Sequence, residues 1–116
     1  MKTEKFKAIQ FVREYIVAVE KELDNFPKKD IEIKNRIRTK AFDLLELVYY
    51  ANTTLFVEDK KNKLVEALTN VKVMDFLLNL SYDKQLITSN KFAKLSLRLD
   101  DIAKFTNGWL KSIVDK

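Results

Sequence analysis

The chain has 116 residues and a formal charge of +5, with 34% charged and 47% hydrophobic residues, the balance of a folded globular protein rather than a disordered one. It holds no Cys and no His, which excludes disulfide frameworks, thiol chemistry, Cys/His and Ser-His-Asp catalytic sets, the usual zinc ligands and the Glu-x-x-His pairs of di-iron bundles. One Gly and one Pro leave too few turn formers for a β-rich fold, so the expectation is a single all-α domain over residues 1–116 with short connections.

Four amphipathic helices follow from the apolar spacing. The first runs from about Glu4 to Asp24, with Phe6, Ile9, Val12, Ile16, Val19 and Leu23 at steps of three and four. It stops at Asn25-Phe26-Pro27, because Pro27 disfavours helical backbone at the residue before it. Asp30 suits the N-cap of a second helix, whose stripe is Ile33, Ile37, Ala41, Leu44, Val48, Ala51 and Leu55 and whose end frays at Asn52-Thr53-Thr54. A third helix covers about Asp59 to Tyr82, with Leu64, Leu68, Val71, Met74 and Leu78 inward. After a short connection from Asp83, Thr88 or Ser89 caps a fourth helix. Its seam is Phe92, Leu95, Leu99, Ile102, Thr106, Trp109 and Ile113, broken only by the polar Thr106.

Helices of this length joined by short loops imply an up-down-up-down antiparallel four-helix bundle. The second and fourth helices then run parallel and start at the same end. That matters because the net charge is localised. Between residues 25 and 40, Lys28, Lys29, Lys34, Arg36, Arg38 and Lys40 stand against Asp30 and Glu32, a net +4. Between 84 and 98, Lys84, Lys91, Lys94 and Arg98 meet no acid, again +4, while 41–83 nets −3 and both flanks are neutral. The bundle brings these windows to one electropositive end, with two helix N-termini adding partial positive charge. Nine residues are the candidate nucleic-acid contacts: Lys28, Lys29, Lys34, Arg36, Arg38, Lys40, Lys91, Lys94 and Arg98. Without a helix-turn-helix, zinc finger or RNA-recognition motif, binding of RNA or DNA is expected to be backbone-directed and salt-sensitive. The same residues also fit an ordinary solvated surface.

A surplus of apolar side chains accompanies the core stripes: Phe11 and Tyr15; Phe42, Leu45, Tyr49 and Phe56; Val73, Phe76, Leu77 and Leu80; Leu97 and Phe105. Such a surplus points to self-association or to a protein-interaction scaffold. Asp100 and Asp101 point about 100° apart on a helix, so they do not share a proton or metal; pairs with Lys104, Lys94 and Arg98 suit them better. No enzyme activity, cofactor or metal is expected. Met1-Lys2-Thr3-Glu4-Lys5 opens a charged run rather than a signal peptide, and no stretch approaches ~18 uncharged apolar residues, so a cytoplasmic protein without a membrane partner is expected.

Three ordered stretches carry a family resemblance: Phe26-Pro27-Lys28-Lys29, Asp43-Leu44-Leu45-Glu46-Leu47-Val48, and Leu99-Asp100-Asp101-Ile102 running on to Gly108-Trp109-Leu110-Lys111-Ser112. Over roughly residues 20–112 the chain resembles the accessory variability determinant (Avd) proteins of diversity-generating retroelements. These belong to a wider four-helix-bundle group that includes proteins encoded by 23S rRNA intervening sequences. The resemblance implies a basic homopentamer that binds nucleic acid and a reverse transcriptase and supports cDNA synthesis without being the polymerase. The alternative within the group is an intervening-sequence type with a structural or RNA-associated role. Matching positions are Pro27, Lys28, Arg36, Leu44, Glu46, Gly108, Trp109 and Lys111, of which Lys28, Arg36 and Lys111 are the implied nucleic-acid contacts. The chain departs where relatives place Gly before Arg, having Lys34-Asn35-Arg36, and where they place paired glycines before Trp, having Asn107-Gly108.

Overall fold

A computed structural model describes residues 2–113 and contains four long helices: α1 (Lys2–Leu23), α2 (Ile31–Thr53), α3 (Val57–Asp83) and α4 (Ser89–Ser112). A single 3₁₀ turn at Lys28–Asp30 leads into α2. The helices form an antiparallel bundle 50 × 23 × 19 Å in extent. Each packs on two neighbours in the cyclic order α1, α2, α3, α4, so α1 faces α3 across one diagonal and α2 faces α4 across the other. This is the expected all-α up-down-up-down architecture.

The core fills from one stripe per helix. Ile33, Ile37, Ala41, Leu44, Val48 and Ala51 on α2, and Leu95, Leu99, Ile102 and Trp109 on α4, are buried as their spacing requires. Thr106 is buried among them, and its hydroxyl has no hydrogen-bond partner among the described residues. On α3, Leu64, Val71, Met74 and Leu78 are buried, joined by Ala67 and Leu77, while Leu68 is half-buried.

Two expected core positions lie outside. Phe6 is 62% exposed because α1 turns a different stripe inward: Ala8, Val12, Tyr15, Val19 and Leu23, flanked by Ile9. Leu55 is 89% exposed because α2 ends at Thr53, and helical periodicity has no hold on the extended backbone beyond it. The apolar surplus divides. Tyr15 and Leu77 are core; Phe11 and Phe105 meet edge to face at 5.4 Å where α1 packs on α4. Phe42, Tyr49, Phe56, Val73, Phe76 and Leu97 remain exposed.

The connections are built by local hydrogen bonds rather than by glycine. After α1, Phe26 buries its ring and Pro27 sets the extended backbone before the 3₁₀ turn. Lys60 Nζ donates to the Ala51 carbonyl at 2.9 Å, satisfying an open acceptor at the end of α2. Thr88 accepts from the Lys91 amide at 3.2 Å and caps α4 as expected. α3 closes in a Schellman turn: Leu86 N donates to Ser81 O and Gln85 N to Tyr82 O, both at 2.9 Å. Gln85 takes the left-handed position, with φ 63°, that glycine usually fills. Relieving its Cβ should outweigh the extra freedom of the unfolded chain, so Gln85→Gly is expected to gain up to ~1 kcal/mol in urea unfolding. A loss of stability would show that the Gln85 side chain contributes to the turn.

Candidate nucleic-acid interface

α1 lies between the two helices that carry the basic windows, and each sends cations onto it. From α2, Arg38 grips Glu20 as a fork, Nε to Oε2 at 2.8 Å and Nη2 to Oε1 at 3.0 Å. From α4, Lys91 Nζ sits 3.2 Å from Glu22 Oε1, and Arg98 Nη1 lies 3.6 Å from Glu14 Oε1. Arg98 therefore reaches across to α1 instead of along its own helix to Asp101. Lys94 shares the helix face of Lys91 and Arg98, and Lys34 adds to the positive field around Glu20. Arg38, Lys34, Lys91, Lys94 and Arg98 thus converge across α1, although α2 and α4 are not adjacent helices in the bundle.

The remaining candidates lie elsewhere. Lys28 and Lys29 are exposed on the 3₁₀ turn at the end of the bundle. There Lys84, from the α3–α4 connection, reaches the buried Asp30 at 3.2 Å and ties the two basic connections together. Asp30 occupies the N-cap position of α2, yet its side chain makes no capping hydrogen bond; it receives Lys84 instead. Lys40 lines a separate groove between α2 and α3, beside Asp43 and Glu46, and Arg36 stands one turn before it. Lys111 lies in the last turn of α4, a helix of 24 residues and so about 36 Å long, far from Lys28 and Arg36. Trp109 is buried, and Gly108 faces α1, where a Cβ would come within 2.8 Å of Glu4 Cγ. The neighbouring Asn107 is exposed, so that position makes no demand for a second glycine.

The ion pairs have a consequence for α1 itself. Its acids Glu14, Glu20 and Glu22 are engaged by α2 and α4, whereas Arg13 and Lys21 are exposed and make no ion pair among the described residues. Both line an open groove of about 770 Å³ with Phe6, Val17, Tyr49 and Arg98. Summing residues 1–24 to zero hides these two cations. The readable signal is their spacing: eight residues apart, with Val17 midway, they lie on one helix face. The resulting surface combines unneutralised cations with exposed aromatic rings, the pairing that suits phosphates and stacked bases.

Hydrogen bonding from Arg38 holds the Glu20 carboxyl below its ordinary range, against a smaller opposing effect of burial. A carboxyl depressed on folding stabilises the protein above its unfolded value of about 4.3 and loses that contribution as pH falls through the folded value. Glu20→Gln is therefore expected to cost ~0.5–1 kcal/mol at neutral pH, the range for a well-formed surface pair. The difference from wild type should begin to fade as pH drops below the unfolded value of about 4.3 and vanish once pH lies below the depressed folded value. A pH-independent difference in urea midpoints would show that the pair acts through packing rather than charge.

The fold and this face define a four-helix-bundle protein with a basic, aromatic-bearing surface over one helix. No protein-family model and no curated protein sequence matches the chain. The fold is similar to the crystal structure of a protein of unknown function from the S23 ribosomal protein family of Bacteroides thetaiotaomicron, with a TM-score of 0.79 and 22% identity over 96% of this chain and 97% of that one. The likeness spans nearly the full length of both chains. Among the described residues no helix is long and apolar enough to cross a membrane, and no group of acids is placed to hold a metal.

Proposed function

We propose that this chain is a non-enzymatic, RNA-associated bundle of the 23S rRNA intervening-sequence type. In this reading it meets the phosphate backbone of structured RNA through the face over α1. One observation carries the proposal: Glu14, Glu20 and Glu22 of α1 are engaged by Arg98, Arg38 and Lys91, while Arg13 and Lys21, which line the aromatic groove, and Lys94 on α4 make no ion pair among the described residues. The fold likeness to an S23 ribosomal family protein supports the same class. Self-association, expected from the exposed Phe42, Phe76 and Leu97, would repeat the face around an assembly and multiply weak phosphate contacts.

The test is binding of a structured rRNA fragment followed by anisotropy across a salt series. Arg13→Ala/Lys21→Ala/Lys94→Ala should bind at least tenfold more weakly, with the salt slope reduced by about 0.7–0.9 per contact removed. These side chains make no ion pair among the described residues, so helicity and thermal midpoint should hold. Reversing Arg38 or Arg98 would be less informative, because each change sets two carboxylates against one another. RNA binding equal to wild type by the triple variant would overturn the assignment.

A second reading, an accessory protein of a diversity-generating retroelement, rests on the ordered residue set from Phe26-Pro27-Lys28-Lys29 to Gly108-Trp109. It requires a pentamer, with a mass near five times the 13.7 kDa chain by light scattering, and stable association with a reverse transcriptase. An RNA-binding chain that ignores the polymerase would favour the intervening-sequence type.

A further inference from the structure

The groove over α1 offers more than positive charge. Phe6, Arg13, Val17 and Lys21 follow one another along one side of the helix, and the apolar members are exposed with the charged ones. From α2, Tyr49 and Asn52, one turn apart, line the same groove. The Tyr49 ring is exposed and makes no aromatic or cation contact among the described residues, whereas Phe6 already has Lys5 Nζ over it at 5.4 Å. Asn52 is half-buried, and its amide makes no hydrogen bond among the described residues. Glu14, the one acid among the lining residues, is occupied: Gln10 Nε2 donates to its Oε2 at 2.9 Å, and Arg98 lies 3.6 Å from its Oε1.

A fully paired RNA helix matches half of this composition. Its bases are stacked inside, so it presents ribose and phosphate, which suit Arg13 and Lys21 but set Phe6, Val17 and Tyr49 against a hydrated backbone. An apolar protein surface matches the other half and would strand two cations and an amide away from water. An unpaired nucleotide carries both halves. Its base has a flat face to lie on an aromatic ring and an edge of donors and acceptors for an amide, and its phosphates meet the cations. The open volume of about 770 Å³ lies in the range of sites that hold small organic molecules.

We propose that this groove selects unpaired nucleotides of a structured RNA, a loop or bulge rather than a duplex. One base stacks on Tyr49, Asn52 bonds its edge, and the flanking phosphates lie over Arg13 and Lys21. This selection rests on the RNA reading and adds what phosphate contacts lack, a preference between RNA structures.

The test uses the full chain and three labelled RNAs of equal phosphate count: a duplex, the same duplex interrupted by an internal loop of unpaired adenosines, and that loop with its bases removed. Wild type should bind the looped RNA at least tenfold more tightly than the duplex, about the contribution of one base on an aromatic ring. The abasic loop keeps every phosphate and should fall to the duplex level. Tyr49→Ala should abolish the preference, Tyr49→Phe should retain it, and Asn52→Ala should reduce it severalfold. Arg13→Ala/Lys21→Ala should weaken looped and paired RNA by the same factor, so that their ratio persists. The abasic comparison uses the unaltered protein and decides the matter even if Tyr49→Ala does not fold. Equal binding of the looped, abasic and paired RNAs by wild type would overturn the selection while phosphate binding stood; no binding of any of them would remove both. An undiminished preference in a folded Tyr49→Ala would overturn the stacking. So would a fall in its mass by light scattering, because the groove would then be a contact between copies of this chain.

Discussion

Tyr15→Ala is expected to cost about 3–5 kcal/mol, whereas Tyr15→Phe should be neutral or stabilising by up to ~1 kcal/mol. The contrast arises from two separate properties of one side chain. The ring is fully buried within the stripe of Val12, Val19 and Leu23, so truncation leaves a large cavity in a close-packed interior. The hydroxyl makes no hydrogen bond among the described residues, and burial, with the charge of Asp75 adding, pushes its ionisation above the ordinary tyrosine range. Removing the oxygen therefore forfeits nothing and ends a desolvation penalty. Against a typical domain stability of roughly 5–15 kcal/mol, the alanine variant approaches loss of the folded state, readable as a large fall in urea midpoint. If Tyr15→Phe instead lost more than ~1 kcal/mol, the hydroxyl would have to be satisfied in solution.

Tyr15 also shows where the sequence was ambiguous. α1 offers two apolar stripes, Phe6-Ile9-Val12-Ile16-Val19-Leu23 and Ala8-Val12-Tyr15-Val19-Leu23, which share three members and differ by a modest rotation of the helix. Size and apolarity favour the first, and packing selects the second, because helix rotation is settled by the neighbours α2 and α4 rather than by α1 itself. α2 and α4 each carried one unambiguous stripe and were legible nearly to the residue. Helix ends were legible where a steric rule operates, as at Pro27, or a side-chain cap, as at Thr88. They were illegible where the device is backbone geometry in a residue of no special type, as at Gln85.

The basic surface was legible in charge but not in partnership. A tally along the chain places Arg38, Lys91 and Arg98 among free cations, yet each meets a glutamate eighteen or more residues away in sequence: Glu20, Glu22 and Glu14. Those pairings depend on which helices are neighbours, which a one-dimensional count does not contain. The same pairings uncover Arg13 and Lys21 in a segment whose charges cancel on paper. In a bundle, the informative quantity is charge per exposed face once cross-helix pairs are removed.

The pair between Lys84 and Asp30 is expected to be the most consequential ion pair in the molecule, and Lys84→Met should cost about 2 kcal/mol. Surface pairs are usually worth well under 1 kcal/mol because water screens both partners. Here the partners are unequal: the Lys84 side chain is 46% exposed, whereas Asp30 is 6% exposed and one of its carboxylate oxygens has no hydrogen-bond partner among the described residues. Removing the ammonium leaves a buried charge supported only by the N-terminal dipole of α2, so the loss reflects the stranded carboxylate more than the contact itself. A double-mutant cycle separates the two. Asp30→Asn alone should cost less than Lys84→Met, and combining them should cost much less than the sum, since the neutral amide no longer needs the ammonium. The cycle also tests whether the proposed RNA contact extends from the face over α1 to the end of the bundle, because this pair joins the α1–α2 and α3–α4 connections that carry Lys28, Lys29 and the start of the second basic window. If the pair sets their spacing, Lys84→Met should weaken RNA binding beyond the loss of one charge, with a salt slope lowered by more than about 0.9. Strictly additive stabilities, together with a slope lowered by one contact or less, would reduce Lys84 to an ordinary surface lysine.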